Sequence, residues 1–189
     1  MTSPSDQIRY QTTELRKLVA GVKPDQWTNA TPCDKWTVRD LVNHLAGGGQ
    51  MFAASFRGET IAMDPDGSMP DMVGDDPLGA IDAALDALES AASTPGAMDG
   101  DLTLPFATLP APVALGIVKF DILVHCYDIA CATGQTFDPP ADVVAEGQQM
   151  AETLISIEMR NGDTFGAVTD APANATPMQK LAAFSGRSV

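Results

Sequence analysis

Residues 112–134 read PVALGIVKFDILVHCYDIACATG. The run is apolar on almost every side of a helical wheel, which predicts a helix from about Pro112 to Thr133 at the centre of a bundle. Gly134 stands where a left-handed cap ends such a helix. From Phe120 onward it carries an aspartate, a histidine and a second aspartate: Asp121, His125 and Asp128. Positions four apart share a helix face, so Asp121 and His125 stack one turn from each other beside Ile117 and Val124, with Asp128 one turn further. An ionised carboxylate on an apolar face is costly unless it is paired or bound to a metal. Mutual pairing of Asp121 and His125 meets that requirement, and so does a shared cation.

Working outward, the same periodicity predicts further helices around this one. From about residue 5 to 22, Ile8, Leu15, Leu18, Val19 and Val22 recur at three-to-four spacing, with Thr12 completing the stripe. A second helix begins at Thr37, with Asp40 three residues on in a capping-box-like position, and its inward stripe is Val38, Leu41, Leu45, Gly48 and Phe52. Gly47, Gly48 and Gly49 each cost about 1 kcal/mol inside a helix, so the run either loosens the helix or admits a ligand or another backbone. Residues 57–76 read as a long loop, rich in Gly, Pro, Asp and Met, of a length that often forms lids or binding loops and is otherwise a plain connection. Asp76 caps a third helix with Pro77 at its first position and Leu78, Ile81, Leu85, Leu88 and Ala92 inward. DLTLPFATLP at 101–110 alternates and fits a short strand or hairpin, with Pro105 confining any strand to an edge. A fifth helix is expected from about Pro140 to Arg160 on Val143, Val144, Gly147, Met150, Leu154 and Ile157. A short sixth follows the cap Thr176, with Met178, Leu181 and Phe184 inward. The sum is an all-α four-helix bundle with short extra helices, one domain over 1–189.

Composition narrows the partners. The 189 residues suffice for a core without disulfide or structural metal. A net charge of −14 opposes binding to nucleic acid or an anionic membrane surface. No stretch reaches the roughly 18 apolar residues of a membrane span, and the N-terminus MTSPSDQIRY lacks the order of a signal peptide. Three cysteines without a CxxC pair make no disulfide framework. The expectation is a soluble, cytoplasmic protein, monomer or homodimer, with small-molecule partners. Cys126 and Cys131 read as buried small hydrophobes. Cys33, in TPCDKW, has no neighbour in sequence that would lower its pKa and also reads as packing.

The chain has one other histidine, His44, two turns into the second helix on the edge of its core stripe. Two histidines from separate helices plus one carboxylate make the three-ligand, open-position set of a catalytic zinc site, and nickel, iron or manganese accept the same donors. The candidate ligands are therefore His44, Asp121 and His125. Asp128 either takes the second ring N–H of His125, fixing its tautomer, or forms a surface salt bridge. No P-loop, GxGxxG, Ser/His/Asp order or zinc-finger spacing is present.

TPCDKWTVRDLVNHLAGG at 31–48, followed by DILVHCYDIACATGQ at 121–135, resembles the mycothiol-dependent maleylpyruvate isomerase-like proteins of actinobacteria, a branch of the DinB/YfiT superfamily. Phe165-Gly166 and DAPANATPMQKLAAFSGR at 170–187 are similar to the end of its small members. The resemblance implies an up-down-down-up four-helix bundle holding a divalent metal, often zinc, on His44, Asp121 and His125. It also implies mycothiol as co-substrate. The isomerase pattern has Glu where this chain has Asp121, and the isomerase carries a further C-terminal domain without a counterpart in 1–189. The leading expectation is a metal-dependent isomerase or S-transferase that activates a low-molecular-weight thiol against a small electrophile. A metal-assisted hydrolase and a non-catalytic metal-containing binding or stress protein remain as alternatives.

Overall fold

The computed structural model describes residues 4–59, 70–162 and 164–189, with side chains from residue 6 onward. Six helices and one hairpin make up its regular structure: α1 (Pro4–Ala20), α2 (Val38–Phe56), α3 (Pro77–Ala92), β1 (Asp101–Leu104), β2 (Ala107–Pro110), α4 (Ala111–Thr133), α5 (Ala141–Leu154) and α6 (Pro177–Phe184). Local chemistry explains three of the helix starts. The Thr37 side chain accepts from the Asp40 amide while Asp40 reaches back, a complete capping box for α2. Asp76 caps α3 with Pro77 at its first turn, and Thr176 with Gln179 repeats the capping box for α6. Gly134, at φ 68°, closes α4 in the left-handed region.

The first four helices form an up-down-down-up bundle. Around it, α1 packs on α3 and α4, and α2 packs on α3 and α4. Chain neighbours α1 and α2 thus lie across a diagonal, which is why their connection, 21–37, is long. The parallel neighbours α2 and α3 likewise need a long return segment, 57–76, part of which lies outside the described residues. At the α2–α3 seam, a Cβ on Gly49 would lie 3.2 Å from Ala84 Cβ, so the glycine admits the neighbouring helix. Gly48 faces open space and is half-buried, not part of the inward stripe.

The hairpin pairs Asp101 with Pro110 through Leu104 with Ala107, with Leu102 and Leu104 buried. Pro105 falls in its turn, outside both strands. Ser55 Oγ donates to the Thr103 carbonyl at 2.8 Å and ties the hairpin to α2.

Helix α4 joins two cores. Its residues Leu115, Val118, Ile122, Cys126 and Ile129 belong to the bundle interior. Phe120, Leu123 and Val124 face α5 and α6. A Cβ on Gly147 would lie 2.7 Å from Leu123 Cδ2, so close packing of α5 on α4 explains this glycine in mid-helix.

Three further expectations fail. Helix α5 ends at Leu154, because Ile155 leaves helical geometry (φ −82°, ψ 94°) to bury itself; Ile157 is 86% exposed. Leu78, in the first turn of α3, is 40% exposed and not inward. Cys131 is exposed, whereas Cys126 is fully buried. The suggestion of a lid or binding loop at 57–76 rests largely on 60–69, outside the described residues; at 70–74 the chain is held by α2. There Asn43 donates to the Pro70 carbonyl at 3.0 Å and accepts from the Met72 amide at 2.7 Å. Arg39 donates to Asp71 and to the Gly74 carbonyl.

Candidate metal centre

Helix α2 contributes His44 and α4 contributes Asp121 and His125, and the facing of these two helices brings all three together. One donor atom from each lies within 4.8 Å of the others. His44 Nε2 is 3.2 Å from Asp121 Oδ2. His125 Nε2 is 3.4 Å from Asp121 Oδ1. Both imidazoles therefore turn the same nitrogen toward one carboxylate, and the short aspartate side chain reaches both. The ring centroids are 5.1 Å apart in an edge-on arrangement. His44 and Asp121 are about one-third exposed while His125 is buried, so the cluster opens at His44 and Asp121 and is closed around His125.

Behind His125 lies a buried charge network. Its Nδ1 is 2.9 Å from Asp128 Oδ2, and Asp128 has no exposed surface. Arg187, near the C-terminus, donates from Nη2 to Asp128 Oδ2 at 2.9 Å and from Nε to Oδ1 at 3.2 Å. Its Nη1 donates to the Ser185 carbonyl at 3.1 Å. Asp128 is thus the buried partner of His125, and the surface salt bridge is excluded by its burial. With Nδ1 committed to a carboxylate, Nε2 is the nitrogen free to act toward Asp121.

The electrostatics follow from this packing. Burial alone would raise the Asp121 carboxyl pKa, but the two flanking imidazoles outweigh it and hold the group well below the usual carboxylate range. Burial opposes a charged His125 ring, yet Asp121 and Asp128 on either side carry its pKa above the ordinary value. Asp128 is likewise held low against burial, by His125 and Arg187. With both acids ionised and Arg187 charged, the three side chains sum to one negative charge, which a proton on His125 offsets.

The loop before α2 supplies two residues that sequence reasoning did not assign to the site. Trp36 lies over both imidazoles, its ring centroid 4.8 Å from His44 and 5.7 Å from His125. Cys33 places its sulfur within 4.8 Å of donor atoms on His125 and Asp128. The loop is fixed by Thr31, whose hydroxyl is 2.9 Å from the Trp36 carbonyl and accepts from the Cys33 amide at 3.2 Å. Lys35 takes a left-handed φ of 72° to make the turn. Burial, partly offset by Arg187, pushes the Cys33 thiol up to about 11, consistent with its reading as packing. Arg187 had one indirect signal: a buried aspartate in an apolar helix demands a cation, and the chain holds only 11 lysines and arginines. Nothing local identified which one.

Comparison with known proteins places the chain in a family. Two proteins of Mycobacterium tuberculosis, Uncharacterized protein MT0763 and Uncharacterized protein Rv0738, are each 32% identical over 173 residues, 91% of this chain and 91% of theirs. Among solved structures, a mutant of the mycothiol-dependent maleylpyruvate isomerase superposes with a TM-score of 0.61 at 16% identity, over 77% of this chain and 70% of the other. That likeness is one of fold. The family model of the mycothiol maleylpyruvate isomerase N-terminal domain matches residues 8–130, a span that includes His44, Trp36, Asp121, His125 and Asp128 but not Arg187. By that match over more than half its length, the chain belongs to the mycothiol maleylpyruvate isomerase N-terminal domain family.

Proposed function

We propose that the protein is a metal-dependent enzyme that activates a low-molecular-weight thiol, mycothiol, for isomerisation of or S-transfer to a small electrophile. His44, Asp121 and His125 would hold the divalent metal, zinc by preference. The observation that carries this reading is the convergence of two imidazole Nε2 atoms on one carboxylate at 3.2–3.4 Å. Ligands on a tetrahedral zinc with bonds of about 2.0–2.1 Å are separated by about 3.3–3.4 Å, so these spacings match the edges of such a site. The partial exposure of His44 and Asp121 leaves an approach for a further ligand.

Bound there, a divalent metal supplies a Lewis acid that favours thiolate over thiol at neutral pH. The chain's own residues do the positioning. Asp128 fixes the tautomer and plane of His125, Arg187 holds Asp128, and Trp36 covers one side of both rings. Because Arg187 comes from beyond the family-matched span, we read residues 1–189 as one functional unit.

The test is metal content after reconstitution and removal of free metal, by plasma mass spectrometry, beside His44→Ala and Asp121→Ala. About one metal per wild-type chain and loss in both variants is expected; no stoichiometric metal in wild type refutes the metal reading. Mycothiol should then perturb the visible spectrum of the cobalt-substituted protein. Stoichiometric cobalt with an unchanged spectrum would refute the thiol step alone.

A further inference from the structure

Helices α5 and α6 and the segment 168–171 enclose a groove of about 540 Å³ that the candidate metal centre does not use. The volume is that of a site for a drug-sized molecule, typically 300–1,000 Å³. Its walls are largely apolar, formed by Val144 and Ala145 of α5, Phe184 of α6, and Val168, which is 56% exposed at the groove. A single charged side chain lines it, that of Lys180, in a protein whose net charge is −14. No carboxylate belongs to the lining, and among the described residues none forms a salt bridge with Lys180. The two lining polar groups are already engaged: Gln148 donates to Glu152 at 2.9 Å, and the Thr169 hydroxyl donates to the Arg187 carbonyl.

An apolar slot with one lysine selects its occupant by charge. A neutral hydrocarbon leaves the ammonium unused, and a dianion lacks a second cation. A cationic amphiphile meets repulsion. We propose that this groove is a binding site for an amphiphilic monocarboxylate, its carboxylate on Lys180 Nζ and its apolar body against Val144, Ala145 and Phe184. The site is separate from the three candidate ligands but not remote from them, since Thr169 lines the groove and also holds the backbone of Arg187, the residue that anchors Asp128.

The test uses the full chain without metal, so it stands apart from the metal reading. Dodecanoate and dodecanol, each below its aggregation limit, are titrated calorimetrically into wild type, Lys180→Gln and Ala145→Trp. Lys180 and Ala145 are both exposed, so neither change threatens the fold. Wild type is expected to bind one dodecanoate. Lys180→Gln should weaken dodecanoate about two- to five-fold, the range of an exposed ion pair, and leave dodecanol unchanged. Ala145→Trp should fill the groove and abolish both. Absence of saturable dodecanoate binding overturns the proposal, as does an unchanged dodecanoate-to-dodecanol ratio in Lys180→Gln. A concentration-dependent dimer that Ala145→Trp dissociates would assign the groove to a second copy of the chain, and overturn it too.

Discussion

Replacing Arg187 by Met tests whether the candidate centre depends on a residue 59 positions from its partner. The Asp128 carboxylate is wholly buried, and Arg187 supplies two of its donors at 2.9 and 3.2 Å; the third is His125 Nδ1 at 2.9 Å. Methionine preserves much of the apolar stem but leaves the carboxylate with one polar partner. Removing one member of a buried ion pair costs about 3–5 kcal/mol. The surviving His125 contact argues for the lower end, about 3 kcal/mol, which for a chain of this size is a fall in Tm of about 6–12 °C. Asp128→Asn alone should cost comparably, since it strands the guanidinium. The double variant removes both charges and should fall short of the sum by about 2–3 kcal/mol. Urea denaturation of the four proteins measures the cycle. A second readout separates support of the centre from bulk stability: metal affinity, by competition with a chromophoric chelator at a temperature where all four are folded, should drop about 10–100-fold in Arg187→Met. An Arg187→Met protein within about 0.5 kcal/mol of wild type would refute the reasoning, because a buried aspartate cannot lose its cation so cheaply.

Two further predictions concern neighbours of the site. Gly48→Ala meets no atom within 4 Å and should stabilise α2 by about 1 kcal/mol, or about 2–4 °C in Tm, whereas Gly49→Val is driven into Ala84 and should destabilise by about 1–3 kcal/mol; equal effects in thermal melts would contradict the packing of α2 on α3. Cys33, with its pKa pushed up to about 11, has about one thiolate in a thousand at pH 8, so its alkylation by iodoacetamide should be slow and rise about tenfold per pH unit to near pH 11. Peptide mapping against time checks this, and a plateau below pH 9.5 would show a thiol in a different environment.

The elements that could be read without a structure are those whose causes are local. The capping box at Thr37, the cap Thr176, Asp76 before Pro77, and Gly134 after Thr133 all act within one helical turn, and each marks an observed helix end. The failures share a cause at longer range. Ile157 continues the apolar period of α5, but the chain turns away because Ile155 finds burial elsewhere and Arg160 donates to the Gly166 and Phe184 carbonyls while lying over the Phe184 ring. Leu78 keeps the period of α3 but, among the described residues, is left 40% exposed in the first turn. Cys131 lies on the outer face of α4, between buried Ala130 and Thr133, so an apolar residue type met solvent there.

The candidate centre divides along the same line. The amino-acid sequence by itself determined that Asp121 and His125 share a face, because helix geometry makes every i,i+4 pair neighbours. Scarcity of histidine singled out His44 as their companion. Only the tertiary structure decided that His44 and His125 turn the same nitrogen to Asp121, that Trp36 and Cys33 flank His125, and that Arg187 neutralises Asp128. A helix dictates the spacing of its own side chains, but the partner of a buried charge is chosen by which distant segment the packed core brings within hydrogen-bond reach.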